Sequence, residues 1–226
     1  VKTEFPAKHY GMLVSSHATG WAPEMYCYSP PDKSSSGMWM SKEKTFKPLE
    51  KYTAERPLTK SIGSHFNGSS ANADEIELQD FGEAIPFHLD YLIFDCCLMG
   101  GIEVAYELRG KCGQVGFSQA EVLAEGFDYK KLTQHLLQRE IPYPMGVCHD
   151  YFTQYDIQNG IYRSATISLV DCDKVEPVAQ VCRDIFSAHR EGLAAIRYED
   201  VQRFYRSSKH WFYDLQSILE NAGITD

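Results

Sequence analysis

Tyr91-Leu92-Ile93-Phe94-Asp95-Cys96-Cys97-Leu98-Met99 decides how this chain is read. An apolar strand ends in a thiol, and the pattern behind it predicts a helix starting at once. A cysteine so placed sits near helix amides and the positive end of the macrodipole, which favour thiolate over thiol. Upstream, Tyr10-Gly11-Met12-Leu13-Val14-Ser15-Ser16 forms a second apolar run that ends in His17 and breaks at Ala18-Thr19-Gly20-Trp21. In open α/β sheets, functional groups gather beyond the carboxyl ends of the strands. If these two strands are neighbours, His17 and Cys97 face each other, as thiol-based acyl transfer requires.

The 226 residues can bury one substantial core, so a single domain over 1–226 is expected. A formal charge of −9 and the lack of a basic stripe with interleaved aromatics exclude a nucleic-acid partner. No apolar stretch approaches the ~20 residues that cross a bilayer, so no membrane-spanning segment is expected. Val1 opens the chain without a charged-then-apolar leader, as when an export signal has been removed or was never included. Cysteines stand at 27, 96, 97, 112, 148, 172 and 182, with no C-x-x-C pair to suggest zinc or a redox disulfide. Most are expected in the core as small hydrophobes.

Residues 22–73 lose periodicity and gain Pro30-Pro31, Ser34-Ser35-Ser36 and Gly68-Ser69-Ser70. A loop of that length inside a domain is usually functional, disordered or processed. It carries Lys33, Lys42, Lys44, Lys47, Lys51, Arg56 and Lys60, seven of the 22 basic residues. Beyond it, Leu78, Phe81 and Ile85 share a helical face that Pro86 ends. The strand to Cys97 follows, then a helix to about Arg109, a strand over 113–118, and helices marked by Tyr129-Leu132-Leu136 and by Cys148-Tyr151-Phe152-Tyr155. Ala165, Ile167 and Leu169 alternate as in a strand, and 173–193 and 211–221 have helical spacing. Strands alternating with helices predict an α/β fold whose largely parallel sheet is covered on both faces.

Taken singly, a cysteine at a strand end is more often buried filler, and a histidine after a strand more often a surface or capping residue. Their joint placement is what points to chemistry. Papain-type enzymes fit poorly, because their cysteine lies near the mature N-terminus with histidine far downstream. Here histidine comes first and both residues end strands, which is the caspase-like order.

Three blocks carry a resemblance to the clostripain family of bacterial cysteine peptidases, within the caspase-like clan. Ser16-His17-Ala18-Thr19-Gly20-Trp21 is similar to the family's S-H-G-x-G-W. Phe94-Asp95-Cys96-Cys97-Leu98-Met99 with Glu103-Val104-Ala105-Tyr106-Glu107-Leu108 resembles F-D-A-C-L-M followed by V-E-V-A-Y-E-L. Ser118 to Tyr129 is similar to S-x-x-E-V-x-x-x-G-F-P-Y. The cysteine block is the specific one, and the 22–73 loop matches poorly.

The resemblance implies a caspase-like three-layer α/β/α sandwich and a cysteine endopeptidase acting through an acyl-thioester. Cys97 would be the nucleophile and His17 its acid–base partner, a dyad with no third residue. Cys96 stands where the family has alanine, and alternation sends it to the opposite face, so a core role is expected. Backbone N–H groups of Cys97 and Ala18 would form the oxyanion hole. Alanine at 18 replaces the usual glycine, and its amide can serve only with negative φ.

Asp95 shares the Cys97 face by period-2 alternation. By resemblance it selects a basic side chain before the cleaved bond, Arg above Lys; the alternative is a helix N-cap. Ser118 is expected to line the same pocket, whereas Trp21 fits either the cleft wall or the core. An asparagine-selective enzyme of the clan fits less well, because Asp95 prefers a cation. The remaining histidines show no ligand spacing, and no metal site or cofactor is expected. Calcium enters only because some relatives need it, and no D-x-[DN]-x-[DN]-G loop is present.

Family members usually carry strand–helix units before the histidine strand, so these are expected to be missing here or to reside on a separate N-terminal chain after processing. Several members cleave themselves in the loop after the histidine at a basic residue. Lys33 is the first candidate and Arg56 the next. Expected partners are peptides or proteins presenting Arg or Lys, and that N-terminal chain. The expected location is secreted or envelope-associated. The rival reading is a degenerate caspase-like domain kept as a binding module, supported by Ala18 and the missing units.

Overall fold

The computed structural model describes residues 1–21, 65–66, 73–74, 76–206 and 209–224. Its centre is β4 (Leu89–Asp95), whose residues are buried on both sides of the sheet apart from Asp90. That two-sided burial is why the strand reads as an unbroken apolar run rather than an alternating one. β1 (Gly11–Ser15) lies parallel to it on one side, with Gly11 opposite Tyr91 and Ser15 opposite Asp95. β5 (Cys112–Phe117) is parallel on the other side, and β6 (Ser168–Asp171) runs antiparallel to β5. The order is β1-β4-β5-β6. Two small hairpins stand apart: β2 (His65–Phe66) with β3 (Ala73–Asp74), and β7 (Arg203–Arg206) with β8 (Lys209–Tyr213).

Helices cover both faces. On one face α1 (Leu78–Ala84), α2 (Ile102–Leu108) and the start of α5 (Val175–Ala188) pack on Leu92, Phe94, Cys96 and Val115. On the other, α3 (Tyr129–Leu136) and α4 (Pro144–Asp156) pack on Tyr91, Ile93 and Cys97. This is the α/β/α sandwich expected. α3 begins where Asp128 accepts hydrogen bonds from the Lys130 and Lys131 amides at 3.0 and 3.1 Å, an N-cap ahead of the buried Leu132 and Leu136. α4 begins with Pro144, whose missing N–H costs nothing in the first turn.

Away from the β4 end, three expected elements differ. The helix over 173–193 splits at His189 into α5 and α6 (Arg190–Ala195). The aromatic end of 209–213 pairs as β8, so the last helix, α7 (Leu215–Asn221), begins only after Asp214 caps Ser217 at 2.8 Å. The strand foreseen over 165–169 starts at Ser168, because Ala165 and Ile167 pack beside the α3–α4 core ahead of it. Most of 22–73, including Lys33 and Arg56, lies outside the described residues.

Leu92 is fully buried and paired with both Met12 and Val115. Leu92→Ala is expected to cost about 2–5 kcal/mol in urea unfolding. Leu137→Ala, at a side chain 74 % exposed, is expected to stay within about 0.5 kcal/mol.

Candidate active site

Parallel pairing of β1 with β4 keeps one register, residue i opposite i + 80, up to Ser15 and Asp95. Both strands stop there, and His17 and Cys97 each stand two residues further along. The two segments therefore leave the same rim of the sheet side by side. Alternation then separates the neighbouring thiols. The Cys96 Sγ–H donates to the Val14 carbonyl at 3.3 Å, within the α1–α2 core. Cys97 belongs to the opposite core with Ile93 and Leu98. The expected core role of Cys96 follows from that geometry.

The helix predicted directly behind Cys97 is a correction: residues 96–98 form a turn, and α2 starts only at Ile102. Gly100-Gly101 explains the delay, since glycine is poor inside a helix. Helix-dipole influence fades within a turn of the helix end, so the local backbone sets the sulfur's surroundings. Cys97 Sγ accepts the Val122 N–H at 3.3 Å and faces the Val122 carbonyl at 3.5 Å. The side chain is fully buried. Leu98 has φ +62°, the single non-glycine positive φ among the described residues; conformations of this kind cluster at functional sites.

The segment following β5 holds that turn. Leu98 N–H donates to the Ala120 carbonyl at 3.0 Å, and Gly100 N–H to the Ser118 carbonyl at 2.8 Å. A Cβ on Gly100 would lie 2.5 Å from the Gln119 nitrogen, so only glycine permits this approach. Ser118 Oγ meets Thr166 Oγ1 at 3.0 Å and donates to the Ala120 carbonyl at 3.1 Å. Gln119 Nε2 donates to Ser168 Oγ in β6.

The histidine segment presses on the same turn. Gly20 has φ +67°, and a Cβ there would lie 2.6 Å from the Leu98 carbonyl oxygen. His17 is half-buried and Ala18 fully buried. Because the one positive φ outside glycine among the described residues belongs to Leu98, φ at Ala18 is negative. Trp21 packs edge-on against Phe212, with ring centres 5.9 Å apart. Both line a cavity of about 830 Å³ between α2, α5 and α7. Asp95 and Cys97 are not part of that lining, so Trp21 walls a neighbouring hollow.

Asp95 is fully buried at the end of β4. Its Oδ2 accepts the Tyr129 hydroxyl at 2.6 Å and the Ser15 hydroxyl at 3.3 Å. Asp95 does not cap α2, whose N-cap is Gly101. Tyr129 itself is 41 % exposed. Burial, and then the hydrogen bond to Asp95, push its phenol up to about 12. Sequence reasoning placed Tyr129 on a helix face and at the end of the third block but missed this contact. Ser118, expected to line the same pocket, hydrogen-bonds Thr166 Oγ1 and the Ala120 carbonyl.

A profile of the clostripain family matches residues 51–220. The chain belongs to that family. The match includes β4, Cys97 and Tyr129 and begins after His17. No curated protein matches. Among solved structures, an inactive zymogen C11 protease from Parabacteroides distasonis is similar at 24 % identity and TM-score 0.66, covering 99 % of this chain and 54 % of its own. A secreted C11 cysteine protease from Bacteroides thetaiotaomicron is similar at 21 % identity and TM-score 0.64, covering 97 % and 54 %. A structure of a secreted C11 cysteine protease from the same organism, with an irreversible peptide inhibitor, gives 18 % and 0.59, covering 98 % and 53 %. This clostripain-family chain spans about half the length of these structures and shares their fold, the caspase-like α/β/α sandwich expected. Among the described residues, no helix is long and apolar enough to cross a membrane. No group of three His, Cys, Asp or Glu among them could hold a metal ion.

Between the ordinary tyrosine value of 10.0 and about 12, the folded chain keeps a Tyr129 proton that the unfolded chain has lost. Stability therefore falls as pH rises through that window. Burial pushes the Tyr155 phenol up to about 12 as well, so spectrophotometric titration of Tyr129→Phe is expected to lose one of two phenols ionising near the top of that window. Ionisation of the Tyr129 phenol near the ordinary value would contradict the contact with Asp95.

Proposed function

We propose that the chain is the catalytic part of a cysteine endopeptidase that cleaves after Arg and less readily after Lys. The observation that carries this reading is the β1–β4 register, which brings the ends bearing His17 and Cys97 to one rim. The buried Asp95 carboxylate lies two residues before the thiol.

In the proposed reaction His17 takes the Cys97 proton, and the sulfur attacks the scissile carbonyl carbon. Amides of Cys97 and Ala18 hold the oxyanion. The intermediate collapses to an acyl-thioester as the C–N bond breaks and His17 returns the proton to the leaving amine. Water, deprotonated by His17, then attacks the thioester carbonyl and frees the sulfur. Acid–base help of this kind contributes about 10²–10⁴-fold, and one oxyanion donor about 10²–10³-fold. Asp95 meets the guanidinium with a charge-assisted contact suited to a planar fork, hence Arg over Lys.

The enclosed Cys97 sulfur supports a latent resting state. It must leave the Val122 backbone before it can attack, by a side-chain rotation or a shift of residues 118–123. Activation is then by self-cleavage after the histidine strand, at Lys33 or else Arg56. Substrates are Arg- and Lys-bearing proteins, and a processed N-terminal chain would remain as partner. Secretion or envelope association is proposed from likeness to a secreted C11 protease of Bacteroides thetaiotaomicron.

Fluorogenic peptides with Arg, Lys or Glu before the reporter test this. Rates are expected to fall in the order Arg, Lys, Glu. Cys97→Ala should remove more than about 10³-fold of the Arg rate. Sequencing of new termini after incubation should find a cut at Lys33 or Arg56. Equal Arg and Glu rates would overturn the role of Asp95. A fully active uncut chain would end the processing idea, and an intact but inert chain would favour the binding module.

A further inference from the structure

Two thiols far apart in sequence meet at the end of the sheet opposite the candidate active site. Cys112 opens β5, and Cys172 directly follows β6, the antiparallel strand beside it. Their sulfurs lie 3.7 Å apart, Cys112 fully buried and Cys172 2 % exposed. Both are free thiols. Cys96 and Cys97, though adjacent in sequence, point into opposite cores and each meets a backbone carbonyl. Cys112 and Cys172 alone among the described cysteines face each other through a sulfur–sulfur contact.

We infer that Cys112 and Cys172 form a disulfide that staples β5 to the end of β6. The sulfurs need to close from 3.7 Å to the bonding distance of about 2.05 Å. Covalent closure follows by exchange with a disulfide-bearing oxidant, either a low-molecular-weight disulfide or a thiol oxidoreductase. The thiolate of one cysteine attacks the oxidant's disulfide and releases one thiol. The thiolate of the other displaces the second, so two protein thiols and one oxidant disulfide become one protein disulfide and two thiols. In the closed sheet the hydrogen bond from Cys112 favours ionisation of Cys172, against burial and the carboxylates of Asp171 and Asp173. With both sulfurs enclosed, exchange takes place while β6 is docking or locally open, and the closed sheet then shields the bond from reductants.

The bond would close residues 112–172 into one loop. That loop contains α3, α4, Tyr129 and the 118–122 segment against which Cys97 rests. β6 also reaches this segment at its other end, through Ser168 on Gln119. The staple would therefore fix the strand that braces the candidate nucleophile's surroundings, without touching the nucleophile.

The test is independent of peptidase activity. The 226-residue chain carrying Cys97→Ala is refolded in a glutathione redox buffer, alkylated under denaturing conditions without reductant, and mapped by mass spectrometry. The expected result is a peptide pair joined through Cys112 and Cys172, two hydrogens lighter than the reduced pair. The unfolding midpoint should rise over the reduced chain, with the rise lost on adding dithiothreitol and absent from Cys172→Ala. Free or glutathionylated Cys112 and Cys172, or a bridge through any other cysteine, would overturn the inference. A joined pair with an unchanged midpoint would overturn its stapling role.

Discussion

Everything at the candidate site depends on the backbone pairing between β1 and β4. A parallel ladder without a bulge carries a constant offset from one strand to its neighbour, here 80 residues from Gly11–Tyr91 to Ser15–Asp95. One slipped residue would turn every side chain of β1 to the other face and part Ser15 from Asp95. The register is fixed by burial on both sides: Met12 and Val14 pack with the α1–α2 core, Leu13 with the α3–α4 core. Sheet energetics and site geometry thus have one cause.

Around that ladder, the rim is shaped by residues that let backbones approach. Gly20 brings the histidine segment onto the Leu98 carbonyl, and Gly100 brings the cysteine turn onto the Ser118–Gln119 backbone. Leu98 accepts a left-handed conformation between them. Strain at such a position typically costs about 1–3 kcal/mol and persists only where surrounding contacts enforce it. Here they are the Ala120 and Ser118 carbonyls and, beyond them, Thr166 and Ser168.

Much of this was legible in the sequence for identifiable reasons. β4 is central and buried on both sides, so its apolar run stood out. α3 and α4 carry apolar stripes facing one core. The opposed faces of Cys96 and Cys97 followed from strand alternation alone. What stayed hidden depends on contacts between distant segments. The Tyr129 hydroxyl reaches Asp95 across 34 residues, and Cys112 meets Cys172 across 60. No local spacing reports either. The delayed start of α2 did have a signal, Gly100-Gly101, which the thiol-then-helix pattern outweighed. Enclosure of Cys97 by Val122 had none, because it arises from how the 118–122 segment folds back.

The central claim is that His17 and Cys97 act as one unit at this rim. An Arg-directed peptidyl acyloxymethyl ketone, which alkylates an activated thiolate held beside a bound basic side chain, tests it most directly. Peptide mapping should find the adduct on Cys97 alone, formed rapidly by the chain after self-cleavage and at a rate reduced by about 10²-fold or more in His17→Ala cut at the same bond. An adduct on Cys96, or labelling of Cys97 at the same rate with and without the imidazole, would contradict the account.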